Sequence, residues 1–361
     1  MIDALRAALD GTGPALLPLP AGPAADAVVQ ALRPDEPLEH DDVALVVPTS
    51  GSTGEPKGVL LPAAALRASA GATHERLGGP GRWLLALPPT HIAGLQVLVR
   101  SILADTEPVA LPARAFHPAQ LIAATAALGE GRRYTSLVPT QLRRVLDHGG
   151  EPLAALATYD AVLVGGAAAP PTLVAQSRDA GVRIVTTYGM SETSGGCVYD
   201  GVPLAGVGVD VQDGIVRLSG PVLAAGYRLR PDLTRAAFAD GWFTTSDVGQ
   251  LDGGRLSILG RADDMIVTGG EKVAPAAVEA ALARHPSVAE VVVVGVPDPE
   301  WGQRVVAVVR LNGKRVLALD EAREHVASVL PRAAAPRELR FVGVMPLLPS
   351  GKPDRAALVA G

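Results

Sequence analysis

The pattern of hydrophobic and polar positions predicts alternating strands and helices over the first half of the chain. Between residues 42 and 190, short runs of apolar and β-branched residues recur, as is typical of buried strands. A segment between two of these runs, PTLVAQSRDAG (171–181), opens with proline and closes with glycine, which are helix start and stop signals. This alternation predicts an α/β sheet with helices on its faces. The predicted strands are VALVV (43–47), RWLLAL (82–87), YTSLV (134–138), YDAVLV (159–164) and RIVTT (183–187).

The pattern then changes to strict alternation. GVGVDVQDGIVRLSG (206–220) alternates, turns at Asp213-Gly214 and alternates again, which indicates a β-hairpin. GWFTTSDVGQLDGGRLSILG (241–260) repeats this pattern around Asp252-Gly253. Together they predict a β-rich subdomain over about residues 200–260.

A small α+β unit is predicted after residue 264. Its helices are expected at 275–284 and 320–330, and its strands at 288–296, 304–311 and 338–342. The first 40 residues show only weak helical periodicity. The fold class that follows is α/β, with a large N-terminal domain of layered α/β sheets, its β-rich subdomain and a small α+β C-terminal domain.

Charge, apolar runs and cysteine content exclude several classes of partner and site. The chain of 361 residues carries a net charge of −5 and has no basic footprint, so we expect no nucleic acid partner. No apolar run reaches the roughly 18 residues that span a bilayer, and the N-terminus lacks a signal-peptide pattern, so no membrane insertion is expected. The single cysteine, Cys197, excludes an intrachain disulfide and a cysteine-ligated zinc site. A cytoplasmic location is predicted.

The segment PTSGSTGEPKGV (48–59) suits an anion. Its glycines let the backbone approach closely, its hydroxyl groups can surround phosphate oxygens, and Lys57 adds a positive charge. It departs from the common phosphate loop, in which serine or threonine follows the lysine, because Gly58 stands there. Taken alone, the segment can also be a surface turn.

Eight segments, in this order, resemble motifs of the acyl-adenylate-forming superfamily, which includes acyl-CoA synthetases, luciferases and the adenylation domains of peptide synthetases. They are TSGSTGEPKG (49–58), LPPTHIAGL (87–95), VGGAA (164–168), YGMSET (188–193), GPVLAAGY (220–227), TSDVG (245–249), GRADDMIVTGGEKV (260–273) and PSGKPDR (349–355).

The resemblance implies a nucleotide site for ATP with Mg²⁺. Tyr188 would stack on the adenine, Asp247 and Arg261 would hold the ribose, and Glu192 would bind the metal ion. Outside the family context, Tyr188 can be a core residue, Glu192 a surface charge and Asp247 part of a local turn. The remaining nucleotide-binding residues would be Thr49, Ser50, Gly51, Ser52, Thr53, Gly54 and Lys57 at the phosphates, and Gly165, Gly166, Ala167, Gly189 and Ser191 around the nucleoside.

The resemblance also implies a two-step reaction. Lys352 would be catalytic, because a cation between the attacking carboxylate and the α-phosphate relieves their repulsion. Pro353 departs from the family, which usually has an aliphatic residue there. Residues 261–264 match the hinge, with Asp263 at the pivot, between an N-terminal domain (1–260), shortened at its start, and a mobile C-terminal domain (265–361). Rotation would withdraw Lys352 and present Gly269 and Gly270 to the thiol of coenzyme A, the co-substrate.

Two segments are similar to the o-succinylbenzoate–CoA ligase branch of the family: THIAGL (90–95) and YTSLVPTQLRRVL (134–146). His91 would act beside the acyl carboxylate, and Thr140 with Gln141 could contact the acid, whereas Arg143 and Arg144 are expected to be exposed charges. Other acyl-CoA ligases, a freestanding amino-acid adenylation enzyme and a non-catalytic nucleotide-binding protein stay open as alternatives. The partners expected are a small-molecule acid, ATP and coenzyme A, and a homodimer is left open.

Overall fold

The computed structural model of the protein describes residues 1–50, 56–112, 115–313, 315–346 and 353–360. The helices in these ranges are α1 (Ile2–Leu9), α2 (Ala24–Leu32), α3 (Ala63–Arg76), α4 (Ile92–Leu103), α5 (Gln120–Leu128), α6 (Pro139–His148), α7 (Gly150–Ala157), α8 (Pro171–Asp179), α9 (Pro231–Ala237), α10 (Pro275–Leu282), α11 (Leu319–Ala327) and α12 (Arg355–Ala360). Short 3₁₀ helices lie at Ser191–Thr193 and Arg332–Ala334. No helix of the described ranges is both long and apolar enough to cross a bilayer.

The strands form four sheets within the described residues. They are β1 (Val43–Ser50), β2 (Pro56–Pro62), β3 (Arg82–Leu85), β4 (Val109–Ala110), β5 (Arg133–Leu137), β6 (Ala161–Val164), β7 (Ile184–Met190), β8 (Gly195–Tyr199), β9 (Val202–Pro203), β10 (Gly208–Gln212), β11 (Ile215–Ser219), β12 (Gly226–Tyr227), β13 (Phe238–Ala239), β14 (Trp242–Asp252), β15 (Arg255–Arg261), β16 (Ile266–Thr268), β17 (Glu271–Val273), β18 (Val288–Asp298), β19 (Gly302–Leu311) and β20 (Glu338–Phe341).

The central sheet has the order β4-β3-β5-β6-β7-β8-β9. Strands β4, β3, β5, β6 and β7 are parallel, and β8 and β9 continue the sheet antiparallel. Alternate residues of these strands enter two separate cores: Trp83 and Leu163 belong to one, Leu84 and Val162 to the other. The sheet is therefore covered on both faces, as its continuous apolar strands predict.

The predicted strand at 43–47 lies in a different sheet from the other four. It is part of β1, which pairs antiparallel with β2, and β12 completes this sheet. The reason is local: β1 and β2 are joined by a short loop, and parallel pairing needs a longer crossover.

The two predicted hairpins form a third sheet, ordered β10-β11-β14-β13, with β15 paired to β14. Asp213 and Gly214 have φ angles of 51° and 81°, as the turn residues of the first hairpin. The second turn is displaced by one residue from its prediction, because Asp252 pairs with Arg255 and leaves Gly253-Gly254 as the turn.

The C-terminal unit is a sheet ordered β17-β16-β19-β18, with β20 parallel to β19. Helices α10 and α11 contribute Val278, Leu282 and Val326 to a core with Ile266 and Val305. The predicted fold class is confirmed, since layered α/β sheets, a β-rich sheet and a small α+β unit follow one another along the chain. The domain limits, the cytoplasmic location and the homodimer stay predictions.

Candidate functional site

The segment predicted to bind phosphate connects the two antiparallel strands β1 and β2. Thr49 pairs with Lys57 across the hairpin, and its Oγ1 donates a hydrogen bond to the Lys57 carbonyl at 3.4 Å. Gly51, Ser52, Thr53 and Gly54 lie outside the described residues, as does the side chain of Ser50. Because a strand rather than a helix follows the loop, no helix N-terminus contributes to anion binding here. The positive charge comes from Lys57 on β2.

Gly165 and Gly166 follow the carboxyl end of β6, the edge of a parallel sheet where ligands commonly bind. A Cβ atom at Gly165 would lie 2.3 Å from the Thr187 hydroxyl on β7. Gly166 has a φ angle of 77°, which disfavours other residues. These glycines are thus required by the backbone turn and by packing, in addition to any role beside a base. Ala167 is exposed.

Tyr188 and Asp247 are brought together from two different sheets. The Tyr188 hydroxyl donates a hydrogen bond of 2.7 Å to Asp247 Oδ2. Burial, and then the charge of Asp247, raises the pKa of Tyr188, so the phenol stays protonated as a donor. The backbone of Asp247 donates to Thr245 Oγ1 at 2.9 Å, and Asp247 pairs with Arg261 across β14 and β15. The carboxylate is therefore held in a fixed orientation.

Glu192 lies in the 3₁₀ turn after β7, facing β2 and β12. Its Oε1 accepts a hydrogen bond of 2.9 Å from the Tyr227 hydroxyl. The Lys57 ammonium lies 5.6 Å from the centroid of the same tyrosine ring. The described residues include no group of three or more His, Cys, Asp or Glu side chains able to hold a metal ion. A single half-buried carboxylate fits Mg²⁺, which keeps several waters and binds mostly through substrate phosphates.

Gly189 and Ser191 shape the backbone between these groups. A Cβ atom at Gly189 would lie 2.2 Å from the Gly195 carbonyl, so only glycine lets β7 and β8 approach here. Ser191 is buried in the turn that carries Glu192. Cys197 is fully buried on β8, and burial raises the pKa of its thiol to about 12, which suits a packing role.

His91 stands exposed at the start of α4. The entry into this helix is tight, because a Cβ atom at Gly94 would lie 2.3 Å from the Pro88 carbonyl. From His91, one face of α4 runs along β8: a Cβ atom at Gly195 would lie 3.3 Å from Gln96 and 3.7 Å from Ile92. Gln96 Nε2 donates to the Ser194 carbonyl at 2.7 Å.

The same face of α4 ends at Arg100, which the sequence analysis did not identify. Arg100 is 3% exposed and forms no ion pair with a carboxylate of the described residues. Its guanidinium donates to the Tyr199 hydroxyl at 3.3 Å and lies 4.9 Å from the centroid of Trp83. Burial lowers its pKa, but an arginine stays charged in proteins. A buried positive charge without a carboxylate partner is costly, and here it is stabilised by the Tyr199 hydroxyl and the Trp83 ring.

Polar atoms without partners surround this arginine. Among the described residues, Arg100 Nε, Gln96 Oε1, His74 Nε2 and Trp83 Nε1 are buried and have no hydrogen-bond partner. Burial, and then the charge of Arg100, lowers the pKa of His74 to about 4, so its ring is neutral near pH 7. We name these four residues the Arg100 polar cluster. It offers the positive charge of Arg100, the N–H donors of Arg100 and Trp83, a ring nitrogen of His74 and one acceptor, Gln96 Oε1.

Comparison with known proteins identifies the family. The model of the AMP-binding enzymes matches residues 8–227, and that of the AMP-binding enzyme C-terminal domain matches residues 277–352. The chain belongs to the AMP-binding enzymes.

Individual relatives agree with this family. A probable 2-succinylbenzoate–CoA ligase of Mycobacterium tuberculosis (strain CDC 1551 / Oshkosh) is 51% identical over 99% of the chain and 94% of the relative. The 2-succinylbenzoate–CoA ligase of Geobacillus kaustophilus is 34% identical over 95% of the chain and 74% of the relative. The o-succinylbenzoate CoA synthetase of Bacillus subtilis, solved with the acyl-adenylate OSB-AMP, is similar with a TM-score of 0.75 at 29% identity. That alignment covers 89% of this chain and 70% of the solved one.

In this AMP-binding enzyme, helix α6 separates two kinds of side chain near the predicted acid site. Thr140 is exposed in the first turn. The side-chain amide of Gln141 is hydrogen-bonded to the backbone at both of its polar atoms. Its Oε1 accepts from the Val138 N–H at 3.1 Å, and its Nε2 donates to the Ala86 carbonyl at 3.0 Å. Arg143 bonds Gln176 on the surface at 2.9 Å, and Arg144 is exposed, as expected of ordinary helix charges.

The predicted hinge of the AMP-binding enzyme carries a bidentate ion pair. Arg261 Nε lies 2.9 Å from Asp263 Oδ1, and its second nitrogen lies 3.0 Å from Oδ2. The hydrogen bonds from Arg261 lower the pKa of Asp263. Gly269 and Gly270 form the β16–β17 turn with φ angles of 59° and 85°, and the Gly269 N–H donates to the Trp301 carbonyl at 2.9 Å. Lys352 lies outside the described residues.

Proposed function

We propose that this chain is a 2-succinylbenzoate–CoA ligase of menaquinone biosynthesis. The carboxylate of the acid attacks the α-phosphorus of ATP, forming an acyl–phosphate bond as the bond to pyrophosphate breaks. The thiol of coenzyme A then attacks the acyl carbon, loses its proton, and displaces AMP to form the thioester. The similarity to the Mycobacterium tuberculosis relative over nearly the full length of both chains supports this assignment.

Among the structural features, the observation that carries the choice of acid is Arg100. An acid activated beside His91 would direct its second carboxylate towards Arg100, nine residues further along α4. 2-Succinylbenzoate has a second carboxylate, which would neutralise the buried guanidinium and accept its hydrogen bonds. The indole N–H of Trp83, an uncharged donor of the Arg100 polar cluster, could complete the contacts of this carboxylate. A substrate with one carboxylate would leave Arg100 without a counter-charge.

The nucleotide would bind across the edges of three sheets. Lys57 and the phosphate loop would hold the β- and γ-phosphates, Tyr188 with Gly165, Gly166 and Ala167 would enclose the adenine, and Asp247 with Arg261 would hold the ribose. Glu192 would bind Mg²⁺, which would neutralise phosphate charge. Lys352 would stabilise the charge that develops at the α-phosphate.

A change of domain orientation would separate the two steps. The proposed domains are 1–260 and 265–361, and the pivot is Asp263 in the linker 261–264. One orientation would bring Lys352 to the nucleotide, and the other would bring the Gly269–Gly270 turn. Hinges of this kind are short segments between rigid units. The ion pair of Asp263 with Arg261 links the pivot to the proposed ribose site.

Asp263→Pro is expected to reduce thiolation much more than adenylation. Proline fixes its own φ angle and restricts Ala262 before it, so rotation at the pivot becomes unfavourable. The two half-reactions are measured separately, as pyrophosphate release in a single turnover and as coenzyme A transfer from supplied acyl-AMP. Asp263→Ala removes the Arg261 ion pair but keeps backbone freedom, so it serves as control. Normal coenzyme A transfer in the proline variant would exclude Asp263 as the pivot.

Glu192→Gln is expected to raise the Mg²⁺ concentration for half-maximal adenylation by at least about tenfold. The amide keeps the shape of the side chain but removes its negative charge, which a hard cation requires. A magnesium titration of pyrophosphate release measures this. An unchanged titration would contradict the assignment of Glu192.

The proposed function is tested by pyrophosphate release with MgATP across a panel of acids. The panel contains 2-succinylbenzoate, substituted benzoates, fatty acids and amino acids. We expect selective release with 2-succinylbenzoate. Preference for another acid would keep the acyl-CoA ligase chemistry and assign a different substrate, and preference for amino acids would indicate a freestanding adenylation enzyme. Absence of pyrophosphate release with every acid of the panel would contradict the proposal.

A further inference from the structure

Tyr227 connects two groups of the proposed phosphate and metal site but has no assigned role. It ends the segment GPVLAAGY (220–227) on β12, next to β2 in the sheet. Its hydroxyl donates to Glu192 Oε1 at 2.9 Å, and the Lys57 ammonium lies over its ring, 5.6 Å from the centroid.

The surroundings hold Tyr227 in place. The residue is 7% exposed, and its ring packs edge-on against Phe238 at 5.8 Å between centroids. Its backbone N–H donates to Thr234 Oγ1 at 2.9 Å, and the carbonyl of Glu192 accepts from the Ala224 N–H at 2.9 Å. Both ends of the Tyr227–Glu192 hydrogen bond are therefore anchored to the same segment, which limits how far Glu192 can turn.

We propose that Tyr227 is a positioning residue that orients the Glu192 carboxylate for the metal ion of MgATP. With one carboxylate oxygen bonded to Tyr227, the other is left to face the ligand. The Lys57 ammonium lies over the same ring, and the contacts of the described residues include no ion pair between Lys57 and Glu192. This inference rests on the proposed function, because the metal role of Glu192 belongs to it.

Tyr227→Phe tests this inference, since it removes only the hydroxyl and keeps the ring beside Lys57. Loss of a side chain that orients a metal ligand typically weakens metal binding 10- to 100-fold. We expect the Mg²⁺ concentration for half-maximal binding of α,β-methylene-ATP to rise by about tenfold. Binding is measured by calorimetry, so the result does not depend on turnover. Binding of the analogue without Mg²⁺ is expected to be unchanged.

Tyr159→Phe is the matched control. Tyr159 is also a buried tyrosine whose hydroxyl is bonded, to Thr125 at 3.0 Å, but it lies in the core on the other face of the central sheet. Its variant is expected to keep the wild-type Mg²⁺ dependence. A general effect of losing a buried hydroxyl would shift both variants equally and would overturn the role of Tyr227.

Glu192→Gln in the same Mg²⁺ titration distinguishes a failure of the Tyr227 role from a failure of the metal role proposed for Glu192. A shift with Glu192→Gln but none with Tyr227→Phe would overturn the role of Tyr227 and leave the metal assignment intact. No shift with either variant would overturn both, while the acid panel would still decide the ligase function independently.

Discussion

Lys352→Ala is expected to slow acyl-adenylate formation by about 10²- to 10³-fold. A carboxylate and a phosphate repel each other as they approach, and removing a group that stabilises such developing charge typically costs 10²- to 10³-fold. Transfer of the acyl group from supplied acyl-AMP to coenzyme A is expected to stay near the wild-type rate, because Lys352 would be withdrawn in that step. Single-turnover measurements of each half-reaction check this.

Lys314→Ala is the matched control for this prediction. Lys314, like Lys352, directly follows a glycine in the C-terminal unit, and the family resemblance gives it no role. We expect both half-reactions of this variant to be normal. If Lys352→Ala lost both steps equally, the role of Lys352 in adenylation would be contradicted.

Arg100→Met is expected to lower kcat/KM for 2-succinylbenzoate by about 100-fold or more. Removing one partner of a buried, hydrogen-bonded charge pair costs about 2–5 kcal/mol, and each 1.4 kcal/mol is tenfold. Without substrate, the variant is expected to be at least as stable as the wild type, because it no longer buries an uncompensated charge. Steady-state kinetics and thermal unfolding check both parts.

A substrate that lacks the ring carboxylate shows whether the lower kcat/KM of Arg100→Met arises from a lost contact between Arg100 and that carboxylate. With 4-oxo-4-phenylbutanoate, the wild type should already be impaired, and Arg100→Met should add little further loss. Arg143→Met, an exposed arginine on α6, should behave as the wild type with both acids. An Arg100→Met variant that loses activity equally with both acids, or that unfolds at a lower temperature, would identify Arg100 as a structural residue instead.

The positions of the central strands along the chain follow from local sequence, and the contacts between their side chains do not. The apolar runs at 134–138, 159–164 and 183–187 predict buried strands, and the structure pairs them as neighbours β5, β6 and β7. The hydrogen bond from Tyr188 to Asp247 joins residues 59 positions apart in different sheets, and no periodicity indicates it.

Arg100 shows what sequence reasoning missed and which signal was present. In α4, IAGLQVLVRSIL, Gln96 and Arg100 are four residues apart in an otherwise apolar helix, so they share one face. A surface helix would place such a face in solvent. Only the packing of α4 against β8 and Trp83 shows that this polar face is buried and lacks a counter-charge.

The central claim is tested most directly by the products formed from 2-succinylbenzoate, MgATP and coenzyme A. Mass spectrometry and nucleotide chromatography on one reaction would identify the thioester and the nucleotide released. We predict the mono-coenzyme A ester of 2-succinylbenzoate, with AMP and pyrophosphate formed in equal amounts. Formation of ADP and phosphate, or absence of this ester while another acid is converted to its thioester, would contradict the account.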